Sequence, residues 1–164
     1  MNKIENIIAN PVYKDYLQRN NNAEKERVFC CHNFDHVADT ARLTYILILE
    51  EGNPFISREI AYAAGLLHDI GRWAEYQTGK DHAAKSADLA KEILIEAGFS
   101  NDETRLIQKA ISEHRDKNYS HKNRSVLSAA LARADSMSRK CFCCSSRENC
   151  NKLEQQPNQN TLTY

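Results

Sequence analysis

Apolar residues recur at steps of three and four along nearly the whole chain, a period that fits helices and leaves little room for strands. Val37, Ala41, Tyr45 and Leu49 fall at steps of four. The helix they define runs from about His32 to Glu51, and Gly52-Asn53-Pro54 ends it. A second helix opens near Ser57 and carries Ile60, Ala61, Ala64, Leu67 and His68 to Gly71, which stops or bends it. Asp81 is placed to cap a helix from His82 to Ala97, with Gly98 in its C-terminal turn. Ser100-Asn101-Asp102-Glu103 has the spacing of a capping box. The helix it opens carries Leu106, Ile107, Ala110, Ile111 and His114 on one face, and a last long helix covers roughly Arg124 to Lys140. Near the start, a short helical segment follows Asn10-Pro11 through Tyr13 and Leu17, and Asn20-Asn21-Asn22 reads as a loop. Five glycines and three prolines are too few to punctuate an all-β chain. The expected fold is all-α: one helical domain over residues 1–150, then a polar, mobile tail over 151–164 with no internal repeat.

A chain of 164 residues can bury a real core as a single domain without disulfide staples. Lys+Arg (22) balance Asp+Glu (22), which argues against the broad basic surface of a nucleic-acid binder but leaves room for a local anion pocket. The densest apolar stretch, Leu43 to Leu49, is far too short to span a bilayer. Met1-Asn2-Lys3-Ile4-Glu5-Asn6 lacks the apolar run of a secretory signal, so a cytoplasmic location is expected. In that compartment the six cysteines are expected as thiols or metal ligands.

Several polar residues fall where the helical pattern calls for core. Asp135 lies four residues after Leu131 and eight after Leu127, on a face shared with Ala130 and Ala134. An unpaired carboxylate there is costly, so it needs an arginine or a metal. His114 ends the apolar face of Ile107, Ala110 and Ile111, and His68 closes the run from Ala61 to Leu67 with Asp69 beside it. Taken singly, such a histidine more often serves as a hydrogen-bonded core residue, and such an aspartate as an ion-pair partner or cap. The recurrence of the set on successive helices favours a metal centre, because helical bundles build such centres from inward-facing residues.

Three segments carry a resemblance: His36-Val37-Ala38-Asp39-Thr40-Ala41-Arg42, Ala63-Ala64-Gly65-Leu66-Leu67-His68-Asp69-Ile70-Gly71, and Ala134-Asp135. Together, over about His32 to Arg139, they resemble the HD superfamily, which is named for its adjacent His-Asp pair. The resemblance implies a helical bundle of the HD type with a divalent metal held in its core by His36, His68, Asp69 and Asp135. A subset of the superfamily holds a second ion. By that likeness Asp69 bridges the two ions, and His82 and His114 hold the second. Neighbouring basic residues are candidates for phosphate oxygens: Arg72 first, then Lys85 and Arg139. His32 shares a helix face with His36 and reads as a solvated helix-start residue, with a substrate or supporting contact as the alternative. His121 sits in a polar stretch and is assigned no role.

Cys141 and Cys144 form a CxxC pair, with Cys150 further on, a common chelating turn for zinc or an iron–sulfur cluster. Three thiolates are one short of a closed site. The chain resembles a group of small bacterial HD proteins with a Phe-Cys-x-His start and a Cys-Phe-x-Cys end. By that resemblance Cys30, in Phe29-Cys30-Cys31-His32, supplies the fourth ligand. The alternative is a set of free thiols on a frayed terminus.

The activity this implies is metal-dependent hydrolysis of a phosphate ester or anhydride, with a nucleotide or another small phosphorylated molecule as substrate. The cofactors implied are two divalent ions from among Mn, Fe, Zn, Co, Ni and Mg, supplying hydroxide near neutral pH. No separate general base stands out. The alternatives are a di-iron oxygenase, as in relatives like myo-inositol oxygenase with the same four-His, two-Asp set, and a metal- or redox-sensing module without turnover.

Overall fold

The computed structural model describes residues 2–115 and 124–162. Eight α-helices form among them: α1 (Lys3–Ala9), α2 (Pro11–Ala23), α3 (Phe34–Glu50), α4 (Arg58–Leu67), α5 (Arg72–Thr78), α6 (His82–Glu96), α7 (Asn101–Glu113) and α8 (Val126–Met137). Three short 3-10 turns follow, Cys141–Cys143, Arg147–Asn149 and Leu153–Gln155, and the described residues contain no strand. None of these helices is long and apolar enough to cross a membrane.

Local chemistry sets the helix starts. The side chains of Asn33, Ser57, Asp81, Ser100 and Ser125 each accept a first-turn amide that the helix itself leaves unpaired. The capping box at Ser100 and Glu103 is complete. Gly98, at φ +94°, takes the left-handed turn between α6 and α7 that other residues rarely adopt.

Helix α3 packs between α4 and α8, α6 pairs with α7, and α7 leans on α4 and α8. The shared core includes Val37, Leu47, Leu67, Ile93, Ile107, Ile111 and Leu131, all essentially inaccessible. Each such side chain contributes about 1.5–3 kcal/mol when fully buried. Contact between α3 and α4 is closest at Gly65, where a Cβ would lie 2.3 Å from the Ala41 Cα and 2.5 Å from the Ala41 nitrogen.

The structure departs from the sequence expectations at four places. First, α1 was not anticipated, although Asn2 and Glu5 form a capping box. Second, Asn20-Asn21-Asn22 is not a loop, because α2 continues to Ala23. Asparagine is a weak helix former, but Asn20 is fully buried and its amide group is used on both sides. It donates to the Asp69 carbonyl (2.8 Å) and accepts from the Trp73 amide (2.8 Å), satisfying backbone groups in the turn between α4 and α5. Third, the chain does not simply stop or bend at Gly71. It turns and starts α5 there, and the Gly71 amide donates to Ser86 Oγ at 2.9 Å. Fourth, α8 is shorter than the span from Arg124 to Lys140. Further along, Asn158 is buried and its side-chain amide donates to the Met137 carbonyl.

Candidate metal centre

The doublet stands where α4 runs out. His68 is the C-terminal cap of α4, and the Asp69 carbonyl accepts from the Arg72 amide at 3.0 Å as the chain turns into α5. This brings Asp69 to the middle of the bundle with both carboxylate oxygens facing imidazoles. On one side, Asp69 Oδ2 lies 3.1 Å from His68 Nε2 and 3.4 Å from His36 Nε2. Asp135 Oδ1 closes that side, 3.3 Å from His36 Nε2 and 3.7 Å from His68 Nε2. On the other side, Asp69 Oδ1 lies 2.9 Å from His82 Nε2 and 3.8 Å from His114 Nε2. The structure therefore brings together two donor sets that share Asp69: His36, His68, Asp69 and Asp135, and Asp69, His82 and His114.

Each imidazole is held by its other nitrogen. His68 Nδ1 bonds the Gly65 carbonyl at 2.7 Å, and His114 Nδ1 bonds the Ile111 carbonyl at 2.6 Å, so the last turns of α4 and α7 orient these rings. His36 Nδ1 meets Ser138 Oγ at 3.0 Å, and that hydroxyl donates to the Asp135 carbonyl at 2.8 Å. His82 Nδ1 bonds the Glu75 carboxylate, which also accepts from Arg72 and Arg115. An Nδ1 that donates leaves Nε2 as a lone pair aimed into the centre, the tautomer a metal requires.

Those lone pairs find nothing there. His36 Nε2, His68 Nε2, His114 Nε2 and Asp69 Oδ1 are buried with no hydrogen-bond partner. Orphaned buried polar atoms are costly, and four that converge on shared points fit cations between them. The donor set passes the test for divalent metal: imidazoles and carboxylates, all buried except the partly open Asp135.

The charge balance agrees. Burial raises the Asp69 carboxyl, but His68, His32 and His36 outweigh it and hold it well below its ordinary range. Asp135 is likewise held low, against burial, by His36, His68 and Arg139. Burial pushes His68 down, yet Asp69 and Asp135, both facing its Nε2, raise it to about 10. His114 falls to about 4, through burial and the charge on His68.

These shifts set a pH profile for metal-free protein. The stability from His68 is complete below its ordinary 6.5 and is lost as pH rises through about 10. His114, lowered instead, costs stability as pH drops from 6.5 toward 4. The contributions of Asp69 and Asp135 are present above 3.8 and are lost as pH falls further. In chelator, thermal stability is expected to peak near pH 6.5 and to decline toward both pH 4 and pH 10, with saturating metal removing the alkaline decline. A flat melting profile on the alkaline side in chelator would contradict this.

The remaining expected residues separate. Arg139 reaches the centre, its guanidinium 3.0 Å from Asp135 Oδ1. Arg72 sits at the outer nitrogen of His82, sharing Glu75 with Arg115. Lys85 is not brought to the centre. It is exposed and lines a separate groove of about 510 Å³ with Asp15, Tyr16, Arg19 and Trp73. His32 is not solvated: it is 3% exposed, and its Nδ1 bonds Glu24 Oε1 at 2.5 Å while Nε2 lies 3.8 Å from Asp69 Oδ2. Glu24 also takes the His32 amide (2.7 Å) and the Tyr76 hydroxyl (2.7 Å). Burial works against its carboxylate, but His32 and Tyr76 hold its pKa at about 2. His121 lies outside the described residues. Sequence reasoning missed Glu24, Glu75, Arg115 and Ser138. The step of four between His32 and His36 was the one available signal for the His32 side of the site.

A helical bundle that gathers four imidazoles and a second carboxylate around one shared aspartate defines a class of metal-centre protein. The HD domain family model matches residues 33–140. An uncharacterized protein of Clostridium beijerinckii is 35% identical over 158 residues, covering 96% of this chain and 97% of that one. The crystal structure of a predicted HD superfamily hydrolase from an uncultured Thermotogales bacterium matches with a TM-score of 0.58 at 28% identity, over 84% of this chain and 74% of that one. The chain belongs to the HD-domain superfamily, which is generally one of metal-dependent hydrolases.

Proposed function

We propose that the protein hydrolyses a phosphate ester or anhydride of a nucleotide or another small phosphorylated molecule at a two-ion centre. The observation that carries this reading is Asp69, with one oxygen facing His36 and His68 and the other facing His82 and His114. His36, His68, Asp69 and Asp135 would hold one ion, and Asp69, His82 and His114 the other. The chemistry supplied by bound ions is activation of water near neutral pH and neutralisation of charge on the phosphoryl oxygens.

The chain's own residues position and balance that chemistry. Asp69 sets the separation between the two sides. Ser138, Glu75 and the carbonyls of Gly65 and Ile111 hold the imidazoles by Nδ1 and fix their direction, with Nε2 toward the centre. Arg139 neutralises Asp135 from outside. Arg72, with 15% of its side chain exposed, is the guanidinium we assign to a substrate phosphate, with Arg115 left to balance Glu75 when Arg72 turns away.

The test is a screen across nucleotides, cyclic dinucleotides and generic phosphate esters, with and without chelator. Phosphate release that chelator abolishes and a divalent ion restores is expected. No metal-dependent turnover in any class would count against the assignment. Substrate-dependent oxygen uptake by the iron form, without phosphate release, would replace it with oxygenase chemistry.

A further inference from the structure

The cysteines gather away from Asp69. Cys141 is buried, and the thiols that act on it are Cys30, Cys150 and Cys144. Three of the four lie on one coiled segment. The Cys144 amide donates to the Cys141 carbonyl (3.3 Å), the Arg147 amide to the Cys144 carbonyl (3.2 Å), and the Cys150 amide to the Arg147 carbonyl (3.1 Å). Two successive 3-10 turns thus fold the CxxC pair and Cys150 together.

Cys30 comes from more than a hundred residues earlier in the chain, and two contacts fasten its segment here. Ser146 Oγ donates to the Val28 carbonyl at 2.8 Å, and the Arg139 guanidinium stands near enough to the Cys30 thiol for the two to interact electrostatically. Arg27 Nε holds the Cys30 carbonyl at 2.8 Å. Cys31 and Cys143 are exposed and face outward, bonding the carbonyls of Phe29 and Lys140.

We propose that Cys30, Cys141, Cys144 and Cys150 form a closed four-thiolate site for a thiophilic metal centre, either a zinc ion or an iron–sulfur cluster. The site is distinct from the His/Asp centre. All four cysteines are free thiols in the structure, so disulfides do not account for their meeting. Burial and the three neighbouring thiols oppose ionisation of Cys141, and a bound soft cation removes that opposition. The donor sets drawn within 4.8 Å are those around Asp69; the sulfurs stand wider. A zinc ion would draw the sulfurs inward to Zn–S bonds of about 2.3 Å, and a cluster, being larger, would draw them in less. Either centre clasps the segment before α3 to the segment after α8. Through Arg139, which lies beside Cys30 and donates to Asp135 at 3.0 Å, it also steadies one edge of the His/Asp centre. Closing so long a loop costs entropy, so the bound site stabilises the fold.

The experiment uses the full chain purified anaerobically without added metal. Metal and acid-labile sulfide per chain are measured before and after titration with an organomercurial. After the exposed Cys31 and Cys143 have reacted, release of about one zinc in step with about four further mercurial equivalents is expected, or bleaching of a brown iron chromophore with loss of its sulfide, which takes up additional mercurial. The Cys141→Ser/Cys144→Ser protein should lack that metal, and the Cys31→Ser/Cys143→Ser protein should keep it. The titration of unmodified protein holds whether or not the first variant folds. Asp69→Ala should retain the thiol-held metal, which separates this inference from the proposed hydrolase. Native protein whose cysteines all react freely with a thiol reagent, or are oxidised in pairs, with no metal released, overturns it.

Discussion

Replacing Asp69 with alanine is expected to empty both halves of the His/Asp centre and to lower hydrolytic activity by about a thousandfold or more. Asp69 is the one residue common to both donor sets. Charge stabilisation of several kcal/mol by bound ions is lost with it, and each 1.36 kcal/mol is a factor of about ten in rate. The fold should survive. The change removes a buried carboxylate whose cost is offset only by the imidazoles around it, while the Asp69 carbonyl that anchors Asn20 remains. Elemental analysis and far-ultraviolet circular dichroism of the same sample check both halves of the prediction. Near-parental metal at the His/Asp centre would contradict the bridging role.

Gly65→Ala should be among the most destabilising single changes in the chain. On helix propensity alone it would stabilise α4 by about 1 kcal/mol. The structure predicts the opposite sign, because the new Cβ would meet Ala41 backbone atoms at 2.3 and 2.5 Å and Ala41 Cβ at 2.8 Å. Backbone cannot rotate aside as a flexible side chain can, so α3 and α4 must separate. We expect a loss of about 3 kcal/mol or more in denaturant unfolding. Metal uptake should fall as well, because the Gly65 carbonyl orients His68 and the shift of α3 carries His36 with it. An unchanged or raised unfolding midpoint would show that the two helices do not approach this closely.

Much of this architecture was legible in the chain. The apolar period, the start at Ser57 and the caps at Asp81 and Ser100 place the starts of α4, α6 and α7 within a residue or two. His68, Asp69, His114 and Asp135 announced themselves as polar residues on apolar faces. Other parts were hidden for physical reasons. Asn20 looks like a loop residue until the turn it serves is known, because its hydrogen bonds lie about fifty residues away in sequence. Glu75 looks like one more surface acid, and only the turn between α5 and α6 puts it behind His82. Lys85 follows His82 by three residues, yet it faces Trp73 and α2 rather than the His/Asp centre, a distinction that depends on how α6 is rotated in the bundle. Glu24 and His32 could not be paired from sequence, since neither shares an element with the other.

Anomalous diffraction from crystals of the metal-loaded protein tests most directly whether two cations sit on either side of Asp69, the arrangement proposed above. That arrangement predicts two peaks, one among His36, His68, Asp69 and Asp135 and one among Asp69, His82 and His114. A centre with no peak bonded to Asp69 would contradict it, and a single peak on the His36 side would remove the second ion and the bridging role of Asp69 with it.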